Sequence, residues 1–324
     1  MNFLDKDILS NARVSMKVVK TLSKINEFKG RQIVYKKQNK EILDNLCETS
    51  LVDCALSTHI GQNSRRREMD IEKLVNGERI PSTEDEWSVV EYRDLVKTIN
   101  SAYYTMNLDA KLIAELHGYL YKYSNQRGGF FRVDLSSEVE NLCDSYHKLL
   151  EEDEVDVLIL IATIVLEFIL LHPFNKGNVK MARVLMLLTL NQNGYEVGRY
   201  ISLGKVFDES SLEYFERIKI LSSHLGRGEY DINTWLEYFL ESILIAYQKL
   251  NDSLNITDKD KVTKTLRIET YINSTLGYFT KQDIKDLCPD IPDPTINRVF
   301  NNLRREDKIE VIARGRNAKW RKKY

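Results

Sequence analysis

Glycine and proline are scarce in this chain, and neither sign of charge is in clear excess. The 324 residues include 14 glycines and 5 prolines, few for the frequent turns of a β-sandwich or barrel. The formal net charge is −1, so no overall field directs the protein to nucleic acid or to a membrane. The composition therefore favours a soluble protein built mainly from helices.

Cysteine and long apolar runs are also scarce. The 4 cysteines form neither a Cys-x-x-Cys pair nor a paired framework, so we expect buried free thiols in a reducing compartment. The most apolar window, residues 157–171, is interrupted by Glu167 and is shorter than the roughly 18 residues of a membrane span. It predicts a buried central helix. Because the first residues lack the apolar region of a signal peptide, we expect a cytoplasmic protein with no membrane partner.

Apolar residues recur at helical spacing along most of the chain. We predict an N-terminal helical extension over residues 1–105, a core over 106–251 and a C-terminal module over 261–324, with a polar linker before the module. Helices are expected at 8–30, 36–57, 84–103, 110–124, 136–152, 155–171, 178–192, 210–225 and 231–251.

The C-terminal module differs from the rest of the chain in charge. Residues 257–324 contain 16 lysines and arginines against 10 acidic residues, a net of +6. Thr280 suits the N-cap of a short helix, and Pro294 suits the first turn of the next. Two strand-like runs follow around a glycine-containing turn. The predicted order of helix, helix, turn, helix and β-hairpin is that of a winged helix-turn-helix.

Such a module suggests double-stranded DNA as a partner. Asn and Arg on the last helix suit base edges and phosphates, and cations in the hairpin suit phosphates. The candidate DNA-binding residues are Thr295, Asn297, Arg298, Asn301, Arg304, Arg305, Arg314, Arg316 and Lys319. The alternative is a winged helix used for dimerisation or for docking to another protein.

The stretch LHPFNKGNVKMAR, residues 171–183, contains the candidate site. Gly177 and Asn178 open a predicted helix whose first N–H groups are unpaired and attract phosphate. Three cations accompany this helix start: Lys176, Lys180 and Arg183. His172 lies just upstream, where it would suit a general base beside a bound phosphate. The alternative is a tight turn between helices with solvated lysines.

The pattern His-Pro-Phe-x-x-Gly-Asn-x-Lys-x-x-Arg resembles the signature of the Fic family. Residues 51–61 resemble the family's inhibitory helix, residues 116–132 the helix and turn that lead to the target-binding flap, and residues 199–218 the segment after the core. A winged helix is a common C-terminal appendage of these proteins. The resemblance implies an all-α fold, with a Fic core between the helical extension and the winged helix-turn-helix.

The resemblance also implies an activity, the transfer of AMP from ATP to a Ser, Thr or Tyr hydroxyl of a target protein. His172 would be the base that deprotonates the hydroxyl. Gly177 and Asn178 would form the anion hole, and Lys180 and Arg183 would hold phosphates. The partners implied are a nucleotide and a protein target. Because Fic proteins often pair, a homodimer is the oligomer that the resemblance suggests.

Three positions of the motif depart from the family pattern. Lys176 stands where the family has the acid that binds Mg²⁺. An ammonium cannot ligate a metal, so we expect the Mg²⁺ site to be lost, and Lys176 to hold ATP or another nucleotide by its charge. Val179 replaces a glycine at the phosphate approach. Lys180 keeps the charge of the family's arginine but not its bidentate fork.

The inhibitory segment departs from the family as well. The family's Ser/Thr-x-x-x-Glu pattern uses its Glu to pair with the second motif arginine, whereas here Ser57 is followed at that spacing by Gly61. We expect this brake to be missing. Two function classes follow. The first is a transferase with impaired or altered, Mg²⁺-independent nucleotide handling. The second is a catalytically inactive Fic scaffold that acts as a DNA-binding transcriptional regulator.

Overall fold

The computed structural model describes residues 3–10, 12–57, 71–124, 127–133, 135–210, 212, 216–219, 221, 232–255, 264–275, 277–313, 315 and 318–323. The described chain is mainly helical, which confirms the all-α expectation. The helices are α1 (Lys6–Ser10), α2 (Met16–Gln38), α3 (Lys40–Leu56), α4 (Glu84–Ala102), α5 (Ala110–Tyr119), α6 (Ser136–Glu152), α7 (Val157–Leu171), α8 (Asn178–Gln192), α9 (Leu203–Glu209), α10 (Asn233–Asn255), α11 (Lys264–Ser274), α12 (Lys281–Leu287) and α13 (Asp293–Arg305).

Helix α7 lies at the centre of the body, as its apolar sequence predicts. Asp156 caps its start by accepting a hydrogen bond from the Leu158 N–H at 2.8 Å. The helix packs against α6, α8 and α10. The indole of Trp235 donates to the Ala162 carbonyl across the α10 contact at 2.7 Å. Because α7 and α8 pack against each other, the loop that joins them is anchored at both ends in the core.

The N-terminal extension wraps around this core. Helix α2 packs along α10, and α3 packs against α4 and α9. The prediction of one helix over 8–30 is wrong, because α1 ends at Ser10 and α2 begins at Met16. The Ser15 side chain accepts from the Val18 N–H and donates to Glu237 on α10. This capping starts a new helix, in line with the general preference for serine at N-caps.

Two other helix predictions need correction. Helix α5 ends at Tyr119, whereas the sequence suggested an end near 124. Helix α9 was missed, because the sequence suggested irregular structure up to 204 and a helix only from 210. The Ser202 side chain caps α9 by accepting from the Lys205 N–H. The predicted helix over 210–225 lies mostly outside the described residues.

The C-terminal module has an apolar cluster of its own, centred on Phe279, Phe300 and Trp320. Helices α11, α12 and α13 precede an antiparallel hairpin of β1 (Ile309–Ala313) and β2 (Lys319–Lys322). A further bridge joins Phe279 to Trp320. None of the helices in the described ranges is both long and apolar enough to cross a bilayer.

Candidate functional site

His172 ends the central helix in a conformation that turns its side chain outward. It is the C-cap of α7 and has φ +50° and ψ +56°, which is the left-handed region that few non-glycine residues occupy. Its N–H still donates to the Phe168 carbonyl at 3.2 Å. The residue is exposed, and within the described chain no side-chain hydrogen bond engages the imidazole. The imidazole of His172 is thus exposed to solvent at the end of the buried helix α7.

The loop after His172 is shaped by Asn178, the first residue of α8. The Asn178 side chain accepts from the Phe174 N–H at 2.9 Å and donates to the Phe174 carbonyl at 2.7 Å. Both residues are buried, Phe174 completely. Gly177 between them has φ +75°, a value that glycine adopts without strain. The Asn178 amide therefore holds the loop, and at this helix start the backbone N–H groups of the first turn can face an anion.

His117 supports the same loop from α5. Its Nδ1 accepts from the Gly129 N–H at 2.9 Å, and its Nε2 lies 3.1 Å from the Lys176 carbonyl. Because Nδ1 is an acceptor, Nε2 must carry the proton and donate. Burial lowers the pKa of His117, which favours this neutral form. His117 thus has a structural role at the motif loop, a contact that spacing along the sequence does not reveal.

The turn at 127–133 lies against both α5 and the motif loop. The Arg132 N–H donates to the Pro173 carbonyl at 2.8 Å, and its guanidinium donates to the His172 carbonyl at 3.2 Å. A Cβ on Gly128 would stand 2.7 Å from the His117 carbonyl oxygen, so only glycine fits this approach. The turn exposes Phe130 and Val133 beside the site, at 67% and 87% exposure.

The lysines of the motif have different environments. Lys176 is exposed. Lys180 instead points towards α4, where its Nζ donates to the Ser88 hydroxyl at 2.7 Å. Burial lowers the pKa of Lys180, and the nearby Glu91 carboxylate opposes this shift. In this arrangement the ammonium of Lys180 is directed to a hydroxyl on a neighbouring helix, and its role as a phosphate ligand stays a prediction.

Arg183 is enclosed by two other helices. Its Nη1 donates to the Ser57 carbonyl at 2.8 Å and lies 3.2 Å from the Ser57 hydroxyl. Its Nη2 forms an ion pair with Asp208 on α9. Burial raises the pKa of the Asp208 carboxyl, and the charge of Arg183 opposes that rise. Ser57 was predicted as part of the inhibitory segment, but Asp208 was missed. Gly61 lies outside the described residues.

The arrangement around Lys176 does not fit Mg²⁺. An exposed ammonium occupies the motif position, and the described residues contain no group of three or more His, Cys, Asp or Glu side chains that could hold a metal ion. Hard divalent cations need oxygen ligands. The start of α8 offers backbone N–H groups, but a Cβ on Gly177 would stand 2.7 Å from the Tyr121 hydroxyl. Tyr121 therefore packs closely against Gly177 at this helix end.

The C-terminal module exposes cations on α13. Of the predicted residues, Thr295 is half-buried, and Asn297 accepts from Lys281 at 2.6 Å. Arg314 and Arg316 lie outside the described residues. Two further cations of the hairpin are engaged within the module: Arg321 pairs with Glu310, and Lys322 donates to the Asn273 carbonyl. The exposed members of the predicted set are Asn297, Arg298, Asn301, Arg304, Arg305 and Lys319.

Comparisons with known proteins identify a family domain and similar folds. Residues 101–190 match the model of the Fic/DOC family. A Fic family protein from Desulfovibrio desulfuricans G20 has a similar structure, with a TM-score of 0.58 and 17% identity over 96% of this chain and 97% of that chain.

A Fic domain containing signaling protein from Bacteroides thetaiotaomicron VPI-5482 is also similar, with a TM-score of 0.57 and 14% identity over 74% of this chain and 97% of that chain. A search of curated protein sequences finds no match. The family match contains the loop from His172 to Arg183 and its supports on α5 and the following turn. The chain therefore carries a Fic/DOC family domain at residues 101–190.

Proposed function

We propose that this protein is a Fic-type transferase that moves the AMP group of ATP, or a similar nucleotide group, to a hydroxyl of another protein. Members of the Fic family commonly transfer AMP or other nucleotide groups to proteins. The observation that carries the proposal is His172, which is exposed, lacks a described side-chain partner and is held six residues before the start of α8.

His172 would act as the general base. Its neutral imidazole takes the proton of a Ser, Thr or Tyr hydroxyl while the hydroxyl oxygen attacks the α-phosphorus of ATP. A new P–O bond forms, the bond to the β-phosphate oxygen breaks, and pyrophosphate leaves. The backbone N–H groups at the start of α8 are the donors for phosphate oxygens.

Lys176 would supply positive charge in the place of a metal. Its side chain is exposed beside Gly177, and a lysine ammonium is a mobile point charge that can follow a phosphate. It cannot reproduce the bridging geometry of Mg²⁺, which is worth several kcal/mol in phosphoryl-group transfer. We therefore expect slow transfer that does not require Mg²⁺.

Calorimetric titration of ATP into the protein, with Mg²⁺ and with chelator, tests this proposal. The expected result is weak binding of equal strength in both buffers that is lost in Lys176→Ala. Lys111→Ala is the matched control, because Lys111 is an exposed lysine on α5 with a side chain 84% exposed. His172→Ala should keep ATP binding but lose labelling of target proteins by radioactive ATP.

Two results would contradict the proposal. Binding that needs Mg²⁺ would show that a metal site exists in spite of Lys176. Absence of ATP binding in every buffer would favour the second candidate, an inactive scaffold that acts through its C-terminal module.

The second candidate function is binding of double-stranded DNA by that module. Arg298, Arg304 and Arg305 on α13 are exposed, and no described ion pair neutralises them. Exposed arginines on a helix that follows two others suit base edges and phosphates in the major groove. The module would be a winged helix-turn-helix, with Lys319 in its hairpin as a further phosphate contact.

Salt dependence of DNA affinity tests this candidate. Removal of two phosphate contacts in Arg304→Ala/Arg305→Ala should lower the slope of log K against log salt by about 2. Lys97→Ala/Lys148→Ala removes the same charge from exposed positions in the body and should leave the slope unchanged. Binding that does not depend on salt, or equal effects of the two pairs, would contradict DNA contact by α13.

A further inference from the structure

Arg183 is the meeting point of three helices. It lies on α8, its ion-pair partner Asp208 lies on α9, and Ser57 is the C-cap of α3. The Arg183 side chain is 12% exposed and that of Asp208 is 21% exposed. An ion pair with this degree of burial is screened by solvent far less than a surface pair. The guanidinium is therefore already held by protein groups.

The surrounding contacts keep α9 in place against α3. A Cβ on Gly204 would stand 2.5 Å from the Ser57 hydroxyl, so the backbone of α9 approaches Ser57 more closely than any side chain would permit. Lys205 donates to Asp53 on α3 at 2.8 Å. These two contacts join α9 to α3. The position of Asp208 on α9 therefore depends on how these two helices pack.

Asp208 cancels the charge that Arg183 could offer an anion. A guanidinium binds carboxylate and phosphate oxygens through the same N–H groups, so one Nη cannot serve both in full. Asp208 would also repel a phosphate brought close to Arg183. Of the three motif cations, Lys180 is directed to Ser88 and Arg183 to Asp208, which leaves Lys176 exposed.

We infer that Asp208 is an intramolecular competitor for nucleotide phosphate at Arg183. The inference rests on the proposed function, because it assumes that Arg183 is a phosphate ligand when it is free. In the resting protein the Asp208 carboxylate and the Ser57 carbonyl occupy the guanidinium. A nucleotide binds Arg183 only when α9 withdraws from it or when Asp208 loses its charge.

Two measurements on Asp208 variants test the inference. The first is modification of Arg183 by phenylglyoxal, which reacts with accessible guanidinium groups and is read by mass spectrometry. The second is calorimetry with ATP. Asp208→Ala and Asp208→Asn should raise the rate of Arg183 modification and the affinity for ATP, each about tenfold, the size of effect expected for one charge-assisted interaction. ATP should then protect Arg183.

Glu209→Gln is the matched control, because Glu209 is the next residue, is 51% exposed and pairs with Lys249 at the surface. It should change neither readout. Asp208→Asn keeps the size of the side chain, so it serves if Asp208→Ala does not fold. Equal modification of Arg183 in the wild type, the Asp208 variants and the control would overturn the inference. Faster modification of Arg183 without any gain in ATP binding would show that Asp208 shields Arg183, but it would contradict the proposed function, because no nucleotide then competes for the guanidinium.

Discussion

The imidazole of His117 lies parallel to the ring of Phe174, with 3.7 Å between the ring centroids and 1° between the planes. The same imidazole bridges the Gly129 N–H and the Lys176 carbonyl. It thus joins the turn at 127–133 to the motif loop by stacking and by two hydrogen bonds. The bond from Gly129 needs the neutral ring, because a protonated Nδ1 cannot accept, and the bond to Lys176 needs the proton on Nε2.

Replacement of His117 by phenylalanine should keep the stacking and lose both hydrogen bonds. The buried groups left without partners should cost about 2 to 3 kcal/mol of unfolding free energy, measured by urea denaturation. Because burial lowers the folded pKa of His117 below its ordinary value of 6.5, its contribution is present above that pH and is lost as pH falls below it. The loss of stability in His117→Phe should therefore shrink from pH 7.5 to pH 5.

The control for this series is His147→Phe, since His147 also bonds a backbone carbonyl, that of Leu108, at 2.7 Å. It corrects for the general effect of removing an imidazole. A deficit in His117→Phe that stays constant across this pH range would contradict the assigned tautomer.

Glu167 should make the protein less stable at high pH. It lies on α7 and accepts from the Leu4 N–H at 3.1 Å, and burial raises its pKa from 4.5 to about 7. A raised folded pKa means that stability is fullest below pH 4.5 and falls as pH rises through about 7. Glu167→Gln should therefore gain roughly 2 to 3 kcal/mol at pH 8 and little at pH 4.5.

Chemical denaturation at the two pH values measures this difference. Glu115→Gln is the control, because the Glu115 side chain is 63% exposed and its neutralisation should change stability little at either pH. An equal effect of Glu167→Gln at both pH values would show that the carboxyl is ionised without penalty in the folded protein.

Two glycine substitutions should have opposite effects. Gly128→Ala places a methyl group 2.7 Å from the His117 carbonyl, and backbone has to move, at a cost of about 1 to 3 kcal/mol. Gly30→Ala in α2 meets nothing within 4 Å, and the higher helix propensity of alanine should add up to about 1 kcal/mol. Thermal unfolding of both variants compares them. A neutral Gly128→Ala would mean that the turn does not pack closely against α5.

Lys180 should contribute little to nucleotide affinity in spite of its place in the motif. Its ammonium is bonded to Ser88, so Lys180→Met should change ATP affinity less than twofold. Lys176→Met should reduce it about tenfold, as expected for loss of a charge-assisted contact. Calorimetry in the Asp208→Ala background, where Arg183 is released, compares the two. A tenfold loss in Lys180→Met would mean that the lysine leaves Ser88 to bind phosphate.

The starts of helices were predicted correctly where local capping signals were strong. Asp109 and Thr83 cap α5 and α4 as residues of their type usually do, by accepting from N–H groups of the first turn. The helix predictions failed where tertiary contacts set the boundary. The break before Met16 depends on Ser15 contacts with α10, and α9 is a short helix whose position depends on packing against α3 and α10.

The sequence by itself determined the helical class, the buried α7 and the motif loop with His172 at its start, because apolar periodicity and short-range spacing act through neighbouring residues. Only the tertiary structure decided what the motif cations contact. Ser57 and Asp208 lie 126 and 25 positions from Arg183, and Ser88 lies 92 positions from Lys180. Such pairings arise when whole helices pack, and spacing along one chain carries no signal for them.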